Sequence, residues 1–135
     1  MACVFCQIIA GESPAELVAE YPDALALVPL NPVTEGHLLV IPKVHVKDFR
    51  DEPMVTAVAM VRAAELSRDL RIFPANLITS AGKAATQSVF HLHVHVIPRR
   101  ENDGLALPWY SGKTRRPPIA PPERAVGTTE PPPEG

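Results

Sequence analysis

Cysteine is scarce in this chain and long apolar runs are missing. Two cysteines in 135 residues cannot build the several bridges of a small secreted scaffold, and no stretch approaches the roughly 20 apolar residues of a membrane-spanning helix. The N-terminus lacks a basic region followed by an apolar stretch, so no secretory signal is expected and a cytoplasmic location follows. Neither charge sign is in surplus. Thirteen Lys and Arg against fifteen Asp and Glu leave a formal net charge of -2 and a pI of about 6.2, which excludes a broad field drawing the protein to nucleic acid or membranes. Any anionic ligand has to be held by local groups. No internal repeat is present, and the length suits a single core.

Proline, by contrast, is abundant and uneven. Seven of the sixteen prolines lie beyond Trp109, in Arg-Arg-Pro-Pro-Ile-Ala-Pro-Pro and the closing Glu-Pro-Pro-Pro-Glu-Gly. Such a segment buries little apolar surface and cannot pair in ladders. The expected organisation is a folded domain over 1–113 and a proline-rich, disordered tail over 114–135, with a polyproline partner-binding segment as the alternative.

Within the domain, the apolar segment 4–10, stopped by Gly11, reads as a short helix. Segments 17–20 and 24–29 flank Tyr-Pro-Asp, a turn combination in which proline presets φ, and read as a β-hairpin. A strongly apolar strand is expected over 37–42, ended by proline. Residues 52–72 form the one long helix, with Pro53 in its first turn. From 54 to 64 that helix is apolar nearly all round, a surface wide enough for a second subunit to cover. Strands over 76–80 and 88–98, separated by the loop 81–86, complete an α+β pattern: a mainly antiparallel sheet packed by helices.

The last of these strands contains Phe-His-Leu-His-Val-His-Val-Ile-Pro-Arg, residues 90–99, with three of the five histidines on alternate positions. In a strand His91, His93 and His95 share one face and Leu92, Val94 and Val96 the other. At about 3.3 Å per residue the outer two start about 13 Å apart, so neighbours can serve one site while the ends serve two. Burying three imidazoles for packing alone brings desolvation and pH sensitivity without benefit, which favours chemistry. Phosphoryl or nucleotidyl transfer without a metal at the reacting centre needs a neutral nitrogen nucleophile, neighbours that fix its tautomer, and donors for phosphate oxygens. His93 is the candidate nucleophile, His95 and His37 orient it or contact phosphate, and Gln87 and Ser88 offer donors. Gly36 and Gly82 mark backbone that approaches a ligand closely or needs positive φ.

Cys3 and Cys6 form a Cys-x-x-Cys pair, which can be a zinc half-site, a redox pair or two small buried hydrophobes. Zinc would need two more ligands, for which His45 and His91 are candidates. A different reading makes His91, His93 and His95 the ligands of a catalytic zinc.

The histidine run, together with Cys-Val-Phe-Cys-Gln-Ile-Ile-Ala-Gly-Glu, Gly-His-Leu-Leu-Val-Ile-Pro-Lys-Val-His and Thr-Gln-Ser-Val-Phe-His-Leu-His-Val-His, resembles the successive signatures of the histidine triad (HIT) superfamily, in particular bacterial zinc-containing HIT hydrolases. The similarity runs from Cys3 to about Trp109. It implies a HIT-like α+β fold with a five-stranded antiparallel sheet, a homodimer, and a site for the α-phosphate of a nucleotide. By motif position it makes His93 the nucleophile of a nucleotidyl-histidine intermediate, supported by His37 and His95, with Gln87 and Ser88 on phosphate. It makes Cys3, Cys6, His45 and His91 the ligands of a structural Zn2+. Two positions depart from the pattern. Pro29 stands where many relatives have an Asp or Asn that binds ribose hydroxyls, leaving Asn31 as the substitute, and Ala85-Thr86 stands where Gly-Gly or Ala-Gly is common before Gln87. Trp109 packs the C-terminal segment or, as in some relatives, reaches the neighbouring subunit's site and selects substrate. The expected activity is cleavage of nucleoside phosphoramidates, dinucleoside polyphosphates or related adenylyl conjugates at the α-phosphate. The alternative is a nucleotide-binding regulatory or interaction protein with little turnover.

Overall fold

A computed structural model describes residues 3–107. Trp109, the expected domain end near 113 and the proline-rich segment 114–135 lie outside the described residues. In chain order the elements are α1 (Val4–Ile9), β1 (Glu16–Glu20), β2 (Ala24–Val28), β3 (Leu38–Pro42), α2 (Pro53–Asp69), β4 (Ala75–Ile78), a 3-10 turn (Lys83–Ala85) and β5 (Val94–Pro98). The strands form one sheet in the order β1-β2-β3-β5-β4, antiparallel throughout. The hairpin, the central apolar strand and the two helices therefore fall where the sequence pattern puts them.

Local chemistry explains the ends of these elements. Cys3 caps α1, its Sγ accepting from the Cys6 N–H at 3.4 Å, so a metal-ligand candidate also starts the helix. The β1-β2 turn closes through a Tyr21 N–H to Ala24 O bond of 2.8 Å. Pro53 opens α2 at its first turn, where its missing N–H is not needed. The helix stops at Asp69, three residues short of the expected end, because Arg71 takes a left-handed φ of 57°.

The sheet separates two apolar layers by the two-residue alternation of its strands. Ala24, Ala26, Leu38, Val40, Val94 and Val96 pack against Ala59, Ala63 and Leu66 of α2. Leu25, Leu27, Leu39 and Ile41 point the other way and are covered by Phe5 of α1. Small residues on both α2 and β2 let helix and sheet approach closely, and the larger side chains of β3 and β5 fill the space between them.

The histidine segment departs from expectation. Regular pairing covers Val94–Pro98 and not 88–93, because the chain ahead of Val94 turns away from the ladder, with the Leu92 N–H donating to Val46 O at 2.8 Å in the loop beyond β3. The alternation persists through this irregular stretch. Leu92 joins the α2 layer, while the rings of His91 and His93 both stand edge-on to Phe5 in the α1 layer.

Candidate active site and metal centre

His91 is fully buried, and its ring has a defined hydrogen-bonding polarity. A carbonyl can only accept, so the 2.8 Å contact between Nε2 and Pro42 O places the ring proton on Nε2 and leaves the Nδ1 lone pair exposed to the cysteines. From Nδ1 the Cys3 and Cys6 Sγ atoms are each 3.5 Å away and His45 Nδ1 is 3.0 Å away; Cys6 Sγ to His45 Nδ1 is 3.3 Å. All four donor atoms lie within 4.8 Å of one another. With zinc–sulfur bonds near 2.3 Å and zinc–nitrogen bonds near 2.0 Å, the edges of a tetrahedral site run about 3.3 to 3.8 Å. The donor set and its spacing fit a closed Cys2His2 site, and the Nε2–H bond to Pro42 O is the kind of outer contact that orients a metal-binding imidazole.

Four residues from three regions meet there: the N-cap and first turn of α1, the loop after β3, and the approach to β5. The Cys-x-x-Cys spacing marks half of this convergence in the sequence, and His45 and His91, the other two expected ligands, are the residues the fold brings to it.

The other histidines form a chain with its own direction. The Val33 N–H donates to His37 Nδ1 at 3.1 Å, so the His37 proton sits on Nε2. That atom is 2.9 Å from His95 Nδ1 and donates to it, leaving the His95 proton on Nε2. His93 Nδ1 is 2.8 Å from His91 O, which can only accept, so Nδ1 is protonated and Nε2 carries the free lone pair. The His93 and His95 ring centroids are 5.0 Å apart. Burial keeps His37, His93 and His95 below the ordinary imidazole pKa, His95 at about 4 because a charge there would also be opposed by any charge on His93 or His37, so all three are neutral at pH 7. The arrangement offers a neutral nitrogen nucleophile at His93 beside an N–H donor at His95.

Gln87 is buried and turned inward. Its Oε1 accepts from the Gly82 N–H at 2.8 Å, and its Nε2 donates to Lys47 O at 2.8 Å and Val89 O at 3.1 Å. Its side chain thus holds the loop 82–89 in shape. Ser88 and Asn31 are exposed, and Trp109 lies outside the described residues. Phe5, which walls both His91 and His93 at centroid distances of 5.8 and 5.2 Å, was missed from sequence, although its place between two cysteines was a usable signal.

The departure at Ala85-Thr86 has a structural form. Gly82 has φ of 95° and Thr86 φ of 73°, so a β-branched residue occupies a left-handed conformation that favours glycine.

Comparison with known proteins agrees with this geometry. The HIT domain family model matches residues 10–102, and the chain belongs to the HIT family. Adenylylsulfatase HINT3 of Arabidopsis thaliana is 38% identical over 84% of this chain and 59% of its own length, and adenosine 5'-monophosphoramidase HNT1 of Saccharomyces cerevisiae is 36% identical over 84% and 73%. Among solved structures, a Zn-bound histidine triad family protein from Mycobacterium smegmatis superposes with a TM-score of 0.68 at 42% identity, covering 78% of this chain and 81% of that one.

Two outcomes follow from the site. Metal analysis of the purified protein is expected to find one zinc per chain, and Cys6→Ser to lose it together with several kcal/mol of stability in thermal unfolding; full stability in a zinc-free Cys6→Ser protein would contradict the assignment. Thr86→Gly should stabilise the fold by about 1 kcal/mol by relieving the left-handed strain, and a denaturant midpoint that fell instead would show the threonine to be favoured there.

Proposed function

We propose that the protein is a nucleotide hydrolase or transferase that cleaves at the α-phosphate of nucleoside phosphoramidates, dinucleoside polyphosphates or related adenylyl conjugates. The observation that carries this reading is the His93 Nδ1–H bond to His91 O, which leaves a neutral Nε2 lone pair as the attacking atom. His93 Nε2 attacks the α-phosphorus, a nitrogen–phosphorus bond forms, and the leaving group departs with a proton. Water then attacks the same phosphorus, releases the nucleoside monophosphate and returns His93 to its starting state. His95, its proton on Nε2, donates to a phosphoryl or leaving-group oxygen or nitrogen, and His37 fixes that tautomer. Ser88 supplies an exposed hydroxyl for the phosphate while Gln87 shapes the loop that presents it. Asn31 takes the ribose role that Pro29 cannot, and Trp109 contributes to leaving-group selection. Relatives named as an adenylylsulfatase and an adenosine 5'-monophosphoramidase support phosphorus chemistry on adenylyl groups.

A zinc held by Cys3, Cys6, His45 and His91 would be structural: it would tie α1 to the sheet and supply no reacting group. Cys3 and Cys6 are free rather than bridged, which suits a reducing cytoplasm. A homodimer completes the proposal. Met54 and Val61 on α2 are exposed, as is Phe73 ahead of the edge strand β4, an apolar surface suited to a second copy. Sedimentation at micromolar concentration should give twice the chain mass of 14.6 kDa, and a monomer there would remove this part.

Rapid quenching with adenosine 5'-phosphoramidate should trap an adenylyl group on His93. His93→Ala should abolish the adduct and reduce turnover by at least about 1000-fold while leaving the fold intact. Measurable turnover of the wild type with no adduct would overturn the mechanism. Nucleotide binding with hydrolysis near background would favour a binding protein, the reading that Pro29 motivates.

A further inference from the structure

His93 sits one residue ahead of β5, where both flanking ladders stop. The β3 pairing reaches Val40 with Val94, and the β4 pairing reaches Ile78 with His95. The main chain thus leaves the sheet at the residue whose placement matters most, since a misplacement of about 1 Å at a reacting group can cost about 100-fold in rate. Thr79, the first residue beyond β4, bridges this gap. Its hydroxyl donates to the His93 carbonyl at 2.8 Å, so the strand's hold extends one position further through a side chain. Thr79 is half-buried and β-branched, with few χ1 choices, which lets it hold that hydroxyl at small entropic cost. The imidazole is held through its Nδ1–H bond to His91 O, a bond whose geometry depends on where the His93 main chain is held. His93 is therefore anchored at its main chain and at its ring, from two different segments.

We propose that Thr79 is a positioning residue for the reaction: its hydroxyl sets the peptide after His93 and with it the direction in which Nε2 is presented. This rests on His93 being the nucleophile, as proposed above. If the hydroxyl merely satisfied a carbonyl, its removal would lower stability and leave the chemical step alone. A positioning role slows adduct formation without weakening substrate binding.

The test compares the zinc-loaded full chain with Thr79→Val, which keeps the shape and removes the hydroxyl, and Thr79→Ser, which keeps the hydroxyl. In rapid-quench turnover of adenosine 5'-phosphoramidate, Thr79→Val should form the adduct about tenfold more slowly with KM changed less than about twofold, and Thr79→Ser should recover to within about threefold of wild type. A valine variant as fast as wild type, or a serine variant no faster than the valine one, overturns the proposal. Should Thr79→Val fail to fold, Thr79→Ala replaces it in the same comparison. Nitrogen-15 spectra of the His93 ring need no substrate: wild type and Thr79→Ser should show a single Nδ1–H form and Thr79→Val a mixture, while identical spectra in all three count against the role. A wild type that forms no adduct sinks the nucleophile reading, and the spectra then still decide whether Thr79 holds His93.

Discussion

The structure depends on one buried imidazole. His91 is fully enclosed, and its Nε2–H bond to Pro42 O ties the end of β3 to the approach to β5. That bond determines which nitrogen meets Cys3, Cys6 and His45. The same residue's carbonyl accepts from His93 and so determines which nitrogen of the neighbouring ring is free. A single tautomer thereby orders two sites. The candidate metal site and the candidate nucleophile share His91, the first through its side chain and the second through its main chain.

Polar groups this deep cost free energy unless every one is satisfied, and the histidines meet that requirement pairwise. Among the described residues no buried side-chain nitrogen or oxygen lacks a partner. The chain from the Val33 N–H through His37 to His95 accounts for three ring nitrogens and leaves the fourth, His95 Nε2, as a donor. Phe5 closes the other side, edge-on to both His91 and His93. Because Phe5 lies in α1 and α1 begins at Cys3, the wall beside His93 is carried by the helix that starts the candidate metal site.

Some of the scaffold is held under strain or by exact fit of small residues. Gly36, just ahead of His37, has φ of 83°, which favours glycine, and a Cβ there would crowd Pro98 Cγ at 3.2 Å. Thr86 accepts a comparable conformation without glycine's freedom, at the end of the turn that Gln87 braces. Gly36 directly precedes His37, and Thr86 stands five residues ahead of His91.

Much of the fold was legible because periodicity and punctuation are local: Pro53 at the start of α2, Tyr-Pro-Asp between β1 and β2, and the alternation that sends Leu92, Val94 and Val96 one way and the histidines the other. The family and the candidate residues followed from motifs that stand in the chain as written. Other features needed three dimensions. That β5 begins only at Val94, that Gln87 spends its amide on the backbone of Lys47, and that Thr79 reaches the His93 carbonyl depend on contacts between residues 14 or more positions apart. The sequence by itself determined which imidazoles lie on which side of the sheet, because a two-residue repeat needs no partner. Only the tertiary structure decided which nitrogen each ring offers, because a tautomer is set by the carbonyl or N–H that folding brings against it.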